Sequence, residues 1–188
     1  RANVYFTREI TPEKVVELYR AWGGAARQGG REGPLRGEGQ PEFPASGILV
    51  SHGRGGPRHI VECNTAYGDA AGGVRDHTES HRKLLQEHGW TKYFDVDLMD
   101  AEGPDVVWPI PNGKVLKENH VGKHILHYDS MLVLAHFKGH PMGGYGGALK
   151  QLSIGVASSF GKHIHGAGEP EKIWTADHDA FLESMADA

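Results

Sequence analysis

The chain has 188 residues, enough for one domain, with a net charge of -4 and a pI near 6.4. That balance gives no basic footprint for nucleic acid, and no apolar run approaches a membrane span, so neither partner is expected. Thirteen histidines accompany one cysteine, Cys63, which excludes an internal disulfide and an iron–sulfur cluster held by this chain alone. The histidine bias favours imidazole chemistry near neutral pH, either proton transfer or binding of a borderline metal ion. The N-terminal stretch reads as a strand and carries no signal-peptide pattern, so a cytoplasmic location is expected.

Asn3-Val-Tyr-Phe-Thr7 is the first strand candidate. Thr11-Pro12-Glu13 is a helix start, with a hydroxyl cap, proline at the first helical position and an acid in the first turn. Val15, Val16, Leu18, Tyr19 and Trp22 make one apolar face, and Gly23-Gly24 closes the helix. Residues 23–58 differ in kind, being rich in Gly, Pro, Arg and Glu. Ile48-Leu49-Val50 is their one credible strand, and the rest is expected as an atypical or disordered segment. His59-Ile-Val-Glu-Cys63 is a short strand, and Asn64-Thr-Ala-Tyr-Gly68 a polar turn after it.

A helix is expected from about Thr78 to His88, stopped by Gly89, and Tyr93 to Leu98 alternates as a strand with one polar face. Val106-Val-Trp108 and Val115-Leu116 are extended pieces of a hairpin-like excursion around Pro109-Ile-Pro-Asn-Gly113. Residues 121–128 are ambiguous. Met131-Leu-Val-Leu-Ala135, the most apolar run, predicts a central strand with both faces covered. A helix from about Gly146 to Ala157 follows, then a last helix with Thr175 as cap and Phe181 and Met185 inward. Strands alternating with helices predict an α/β fold, a mainly parallel open sheet with flanking helices. Right-handed crossovers would gather the strand C-termini on one edge. The chain ends inside its last helix without a capping glycine, which reads as a C-terminally truncated, incomplete domain.

His136-Phe-Lys-Gly-His140-Pro-Met-Gly-Gly-Tyr-Gly-Gly-Ala-Leu-Lys150 concentrates the chemistry. It places two imidazoles, two amines and a glycine-dense turn after an apolar strand, where α/β active sites gather. His140 is the candidate acid/base, with Lys138 or Lys150 holding an anion. Gly143, Gly144, Gly146 and Gly147 let the backbone approach a ligand. Asn64, Thr65 and Tyr67 leave another strand end and either orient an oxygen-rich ligand or only make a turn. His77 is either a general base or part of a charged helix start, with Thr78 as the cap. His81 and His88 are expected on the wet face of their helix. At most one of His163 and His165 should face the site. Asp95 and Asp97 are expected on a solvated strand face. His120, His124 and His127 have near-helical spacing, yet no acid or cysteine completes a metal motif. No Walker loop, GxGxxG, nucleophile elbow or HExxH is present.

Ile60-Val-Glu-Cys-Asn-Thr-Ala-Tyr-Gly68, His88-Gly89, Asp95-Val-Asp-Leu-Met-Asp100 and Leu134 to Lys150 resemble the bacterial family called domain of unknown function 362. Ile154-Gly-Val-Ala-Ser158 and Gly161-Lys-His-Ile-His165 do so too. The similarity covers about Ala2 to Gly24 and Ile60 to the end. It implies association with ferredoxin-type iron–sulfur modules, hence a ferredoxin-type partner. Residues 27–58 depart from the family pattern. A more distant similarity, to the nickel-pincer lactate racemase family, rests on His140, Gly146-Gly147, Lys150, Gly155-Val-Ala-Ser158 and His165. It implies an acid/base role for His140, a cofactor anchor at Lys150 and a nickel ligand at His165. Its other acid/base would match His77, where the local sequence agrees poorly.

The resulting expectation is one ligand site on an α/β domain, with His140, His77 and Lys138 as catalytic candidates and His136 and His165 as metal ligands. The cofactor is left unknown beyond a metal ion. The ligand is a small anion such as a hydroxy acid, acted on by proton or hydride movement. Two alternatives stand beside it: a non-catalytic accessory of a ferredoxin-type electron carrier, and an inactive fragment.

Overall fold

The computed structural model describes residues 4–9, 11–21, 47–51, 58–67, 73–92, 94–135, 137–166, 175 and 177–188. The chain divides into two compact units, Arg1–Phe43 with Arg54–Gly56, and Pro44–Gly53 with Pro57–Ala188. In the first unit, helix α1 (Pro12–Ala21) begins as its sequence dictates, with the Thr11 hydroxyl accepting the Lys14 N–H at 3.3 Å. Residues 4–7 carry no strand, and Val4 and Phe6 are exposed. No strand among the described residues pairs with them, and β-propensity without a partner does not hold a strand. Trp22 and most of residues 23–58 lie outside the described residues.

The second unit contains β1 (Gly47–Ser51), β2 (Arg58–Glu62), α2 (Thr78–Glu87), β3 (Asp95–Leu98), β4 (Val106–Pro109), β5 (Glu118–Val121) and β6 (Ser130–Leu134). After these come β7 (Lys138–His140), β8 (Gly144–Gly146), α3 (Ala148–Lys150), α4 (Ser159–Ile164) and α5 (His178–Asp187). Helix α3 continues into a π-helical turn over Gln151–Gly155. Helix and strand are thus mixed as an α/β fold.

Among the described residues the main sheet has four strands in the order β3-β2-β1-β6. Only β2 and β3 pair in parallel, with His59 opposite Asp95 and Val61 opposite Asp97. β1 runs antiparallel to both β2 and β6. The mainly parallel sheet expected from alternating elements is therefore corrected to a mixed one. Only residues 52–57 separate β1 from β2, fewer than a parallel crossover needs.

Two more expectations change. The apolar strand β6 lies at an edge of the described sheet: Met131 is exposed and Leu132 to Leu134 are half-buried. Hairpin β4–β5 forms, but its second strand is Glu118–Val121 and not Val115-Leu116. Residues 114–116 instead direct three backbone N–H groups at the Asp187 carboxylate, at 2.7–2.9 Å. Lys123–His127, ambiguous in sequence, forms a 3-10 helix.

The core is built from Val61, Cys63, Met99, Val121 and Val156, with Val106, Ile125 and Tyr128 against it. Each large apolar side chain enclosed there contributes about 1.5–3 kcal/mol. Glycine makes one close approach between elements possible. A Cβ on Gly161 would sit 2.0 Å from the His120 carbonyl oxygen, so α4 can lie against β5 only without one. Phe181 and Met185 are buried on α5, as their spacing predicts, but Asp177, not Thr175, caps that helix by accepting the Ala180 N–H at 2.8 Å.

Candidate functional site

The segment after β6 folds back as a small hairpin. β7 pairs with β8, with Lys138 opposite Gly146 and His140 opposite Gly144. Strand alternation puts Lys138 and His140 on one face and Tyr145 on the other. The residues opposite Lys138 and His140 are glycines, so that face has no cross-strand side chains. Gly144 has φ of +69°, a left-handed conformation that favours glycine and that the tight return of the chain requires.

His140 Nδ1 accepts the N–H of Gly143 at 2.9 Å and of Met142 at 3.3 Å. Its proton therefore sits on Nε2, and in this arrangement the ring can donate from Nε2 but offers no lone pair there. The ring stacks parallel on Phe181 at 6.4 Å. Burial, then the Lys150 and Lys138 ammonium groups, lower its pKa.

Lys150 follows on α3. Burial lowers its pKa first, and Lys138, Lys162 and Arg75 add to that; Glu62 opposes. Among the described residues no carboxylate lies within ion-pair distance of Lys150. His165 closes α4. It is 0% exposed, and among the described residues neither ring nitrogen has a hydrogen-bond partner. Burial, with Lys162 and Lys150 nearby, lowers its pKa to about 4. His140, Lys138, Lys150 and His165 thus share one electrostatic neighbourhood, linked through Lys150.

The other strand end is organised differently. The Asn64 side chain is used within the protein: Nδ2 donates to the Thr78 hydroxyl at 3.0 Å, and Oδ1 meets His81 Nδ1 at 3.1 Å. Thr65 Oγ1 donates to the Tyr67 carbonyl at 2.8 Å, and Tyr67 is exposed. Asn64 and Thr65 therefore fix the loop, as the turn reading allows. Thr78 is not a cap; His77 holds the N-cap position of α2 without a side-chain cap bond. The His77 side chain is 82% exposed, 3.4 Å from Asp76, and no described contact joins it to the lysine cluster. His81, expected on a wet face, is buried at 1% exposure, and burial lowers its pKa to about 4. His88 is exposed. His136 lies outside the described residues.

Sequence reasoning missed the buried charges beneath the site. Lys162 is enclosed, its Nζ donates to the Ala157 carbonyl, and burial lowers its pKa; Cys63, Asp100 and Glu62 oppose. Glu62 is raised by burial against the opposing pull of Lys162, Arg75 and Lys150. Asp100 accepts the Asn64 N–H at 2.9 Å and the Ser159 N–H at 2.8 Å, tying the β2 end to the start of α4. Ser159 Oγ donates to the Thr65 carbonyl, and His163 Nε2 to the Ala66 carbonyl. The one readable signal was Ser158, which caps α4 by accepting the Gly161 N–H. Burial of Lys162 has no signature in the sequence. Cys63 is inert, its thiol pushed up to about 12 by burial.

A metal at His165 does not fit these surroundings. Two ammonium groups flank the ring, and among the described residues no three of His, Cys, Asp and Glu converge as ligands. His140 presents Nε2–H and not a lone pair. The local excess is cationic, and its complement is an anion.

Fold and site together define an α/β protein with a partly buried lysine–histidine cluster at a glycine hairpin. The family model described as Domain of unknown function (DUF362) matches residues 49–188, and the chain belongs to that family. No curated protein and no solved structure matches it. Among the described residues no helix is long and apolar enough to cross a membrane.

Proposed function

We propose that the β7–β8 hairpin and the start of α3 bind a small carboxylate-bearing anion, such as a hydroxy acid. The observation that carries this is Lys150, a partly buried ammonium beside Lys138 and Lys162 with no carboxylate partner among the described residues. A bound anion would relieve that repulsion. The Nε2–H of His140 supports a donor or acid role toward the ligand, and proton movement is the reaction class it suits. Titration calorimetry with lactate and glycolate, on the parent chain and on Lys150→Gln and Lys138→Gln, tests it. Loss of a charge-assisted contact should weaken binding about tenfold or more for Lys150→Gln. Equal binding by all three chains, or none by the parent, would end this reading.

The ferredoxin-partner reading draws support from a different observation. Phe137, Tyr145, Leu149 and Leu152 are exposed beside the same hairpin, and the Phe137 and Tyr145 rings pack at 5.4 Å. Association of a ferredoxin-type protein with the parent, lost in Phe137→Ser, would favour it.

A further inference from the structure

We propose that His124 and His127 form a second site, which takes a borderline divalent metal ion such as Zn2+, Ni2+ or Cu2+. The two residues sit three apart on the 3-10 helix Lys123–His127, where positions i and i+3 eclipse. Their rings accordingly stack, 5.2 Å apart and 21° from parallel. His124 Nδ1 lies 2.8 Å from Asp97 Oδ1 on β3. A carboxylate only accepts, so the proton sits on Nδ1 and the lone pair on Nε2. Tyr128 donates its hydroxyl to Asp97 Oδ2 at 2.6 Å, which fixes the carboxylate that fixes the ring. A carboxylate behind an imidazole, orienting it and raising its basicity, is the usual support of a metal-ligating histidine.

His127 is exposed, and the His124 side chain is 18% exposed, so an ion can reach both. Two nitrogens on one tetrahedral ion lie about 3.3 Å apart, which rotation of the exposed His127 ring can supply from the stacked pair. The described residues offer no third ligand, so water or a small exogenous ligand completes the coordination. Here the neighbouring charge is the Asp97 carboxylate, whereas at His165 it is two ammonium groups. Imidazole pairs select ions of borderline softness over Mg2+ and Ca2+.

The test is calorimetric titration of Zn2+ and Ni2+ into the full chain and into His124→Ala, His127→Gln, Asp97→Asn and His88→Ala. Affinity should fall about tenfold or more in the first two variants and about tenfold in Asp97→Asn, and stay unchanged in the His88→Ala control. Exposed His127 can be replaced without disturbing the core, so His127→Gln remains decisive if the other variants fail to fold. Unchanged affinity in His127→Gln, or no binding of either ion by the parent, overturns the proposal.

Discussion

An enclosed imidazole is costly to protonate, and His165, with no partner among the described residues, and His81, bonded to Asn64 through Nδ1, are both held neutral by burial. Their folded pKa of about 4 lies below the usual 6.5. The unfolded chain therefore takes up these protons first as pH falls. Stability from this source is fully present above about pH 6.5 and is lost as pH drops toward 4. At about pH 5 the loss amounts to about 2 kcal/mol for His165 and less for His81, where solvent screens more of the effect. Urea midpoints measured at about pH 7 and 5 should show the fall in the parent, and a smaller fall in His165→Leu. An identical fall in the two chains would mean that His165 is not the titrating group.

Two close approaches between elements carry much of the second unit's geometry. Gly161 brings α4 onto the backbone of β5, and the Cβ of alanine would meet the His120 carbonyl oxygen. Gly161→Ala should therefore cost about 3 kcal/mol, the upper end for overpacking, read as a lowered midpoint in denaturant. A wild-type midpoint would show that α4 can shift freely. The second approach is the grip of Asp187, on α5, by the N–H groups of Lys114, Val115 and Leu116. Its carboxyl is pushed up by partial burial and brought down further by these three bonds, for a net lowering. Asp187→Ala leaves these N–H groups without their acceptor, and about 1–3 kcal/mol of stability should go with it. The same denaturant series measures this, and a neutral result would show that α5 docks through Phe181 and Met185 alone.

Across the whole second unit, protection should follow the core and not apolar content. Val61, Met99 and Val121 are fully enclosed, whereas the more apolar β6 is half-buried at the edge of the described sheet. Amide hydrogen exchange should be slowest in β2 and β5 and faster in the outer N–H groups of β6. Equal protection of β6 would mean that another part of the chain covers it.

Short-range signals were legible along the chain. Thr11-Pro12-Glu13 starts α1, Gly89 stops α2, Ile48-Leu49-Val50 is a strand within a sparse segment, and Phe181 and Met185 face inward. These follow from capping, left-handed turns and periodicity, which act within a few residues. The grouping of His140, Lys138 and Lys150 was also readable, because a glycine-dense turn keeps neighbours in sequence close in space. Strand direction, the edge position of β6, the burial of His81 and Lys162, and the use of Asn64 by Thr78 and His81 were not. Each depends on which distant segment arrives alongside, and one strand or helix taken alone carries no record of its partner. The tertiary structure alone set the charge around each histidine: ammonium groups beside His165, a carboxylate behind His124.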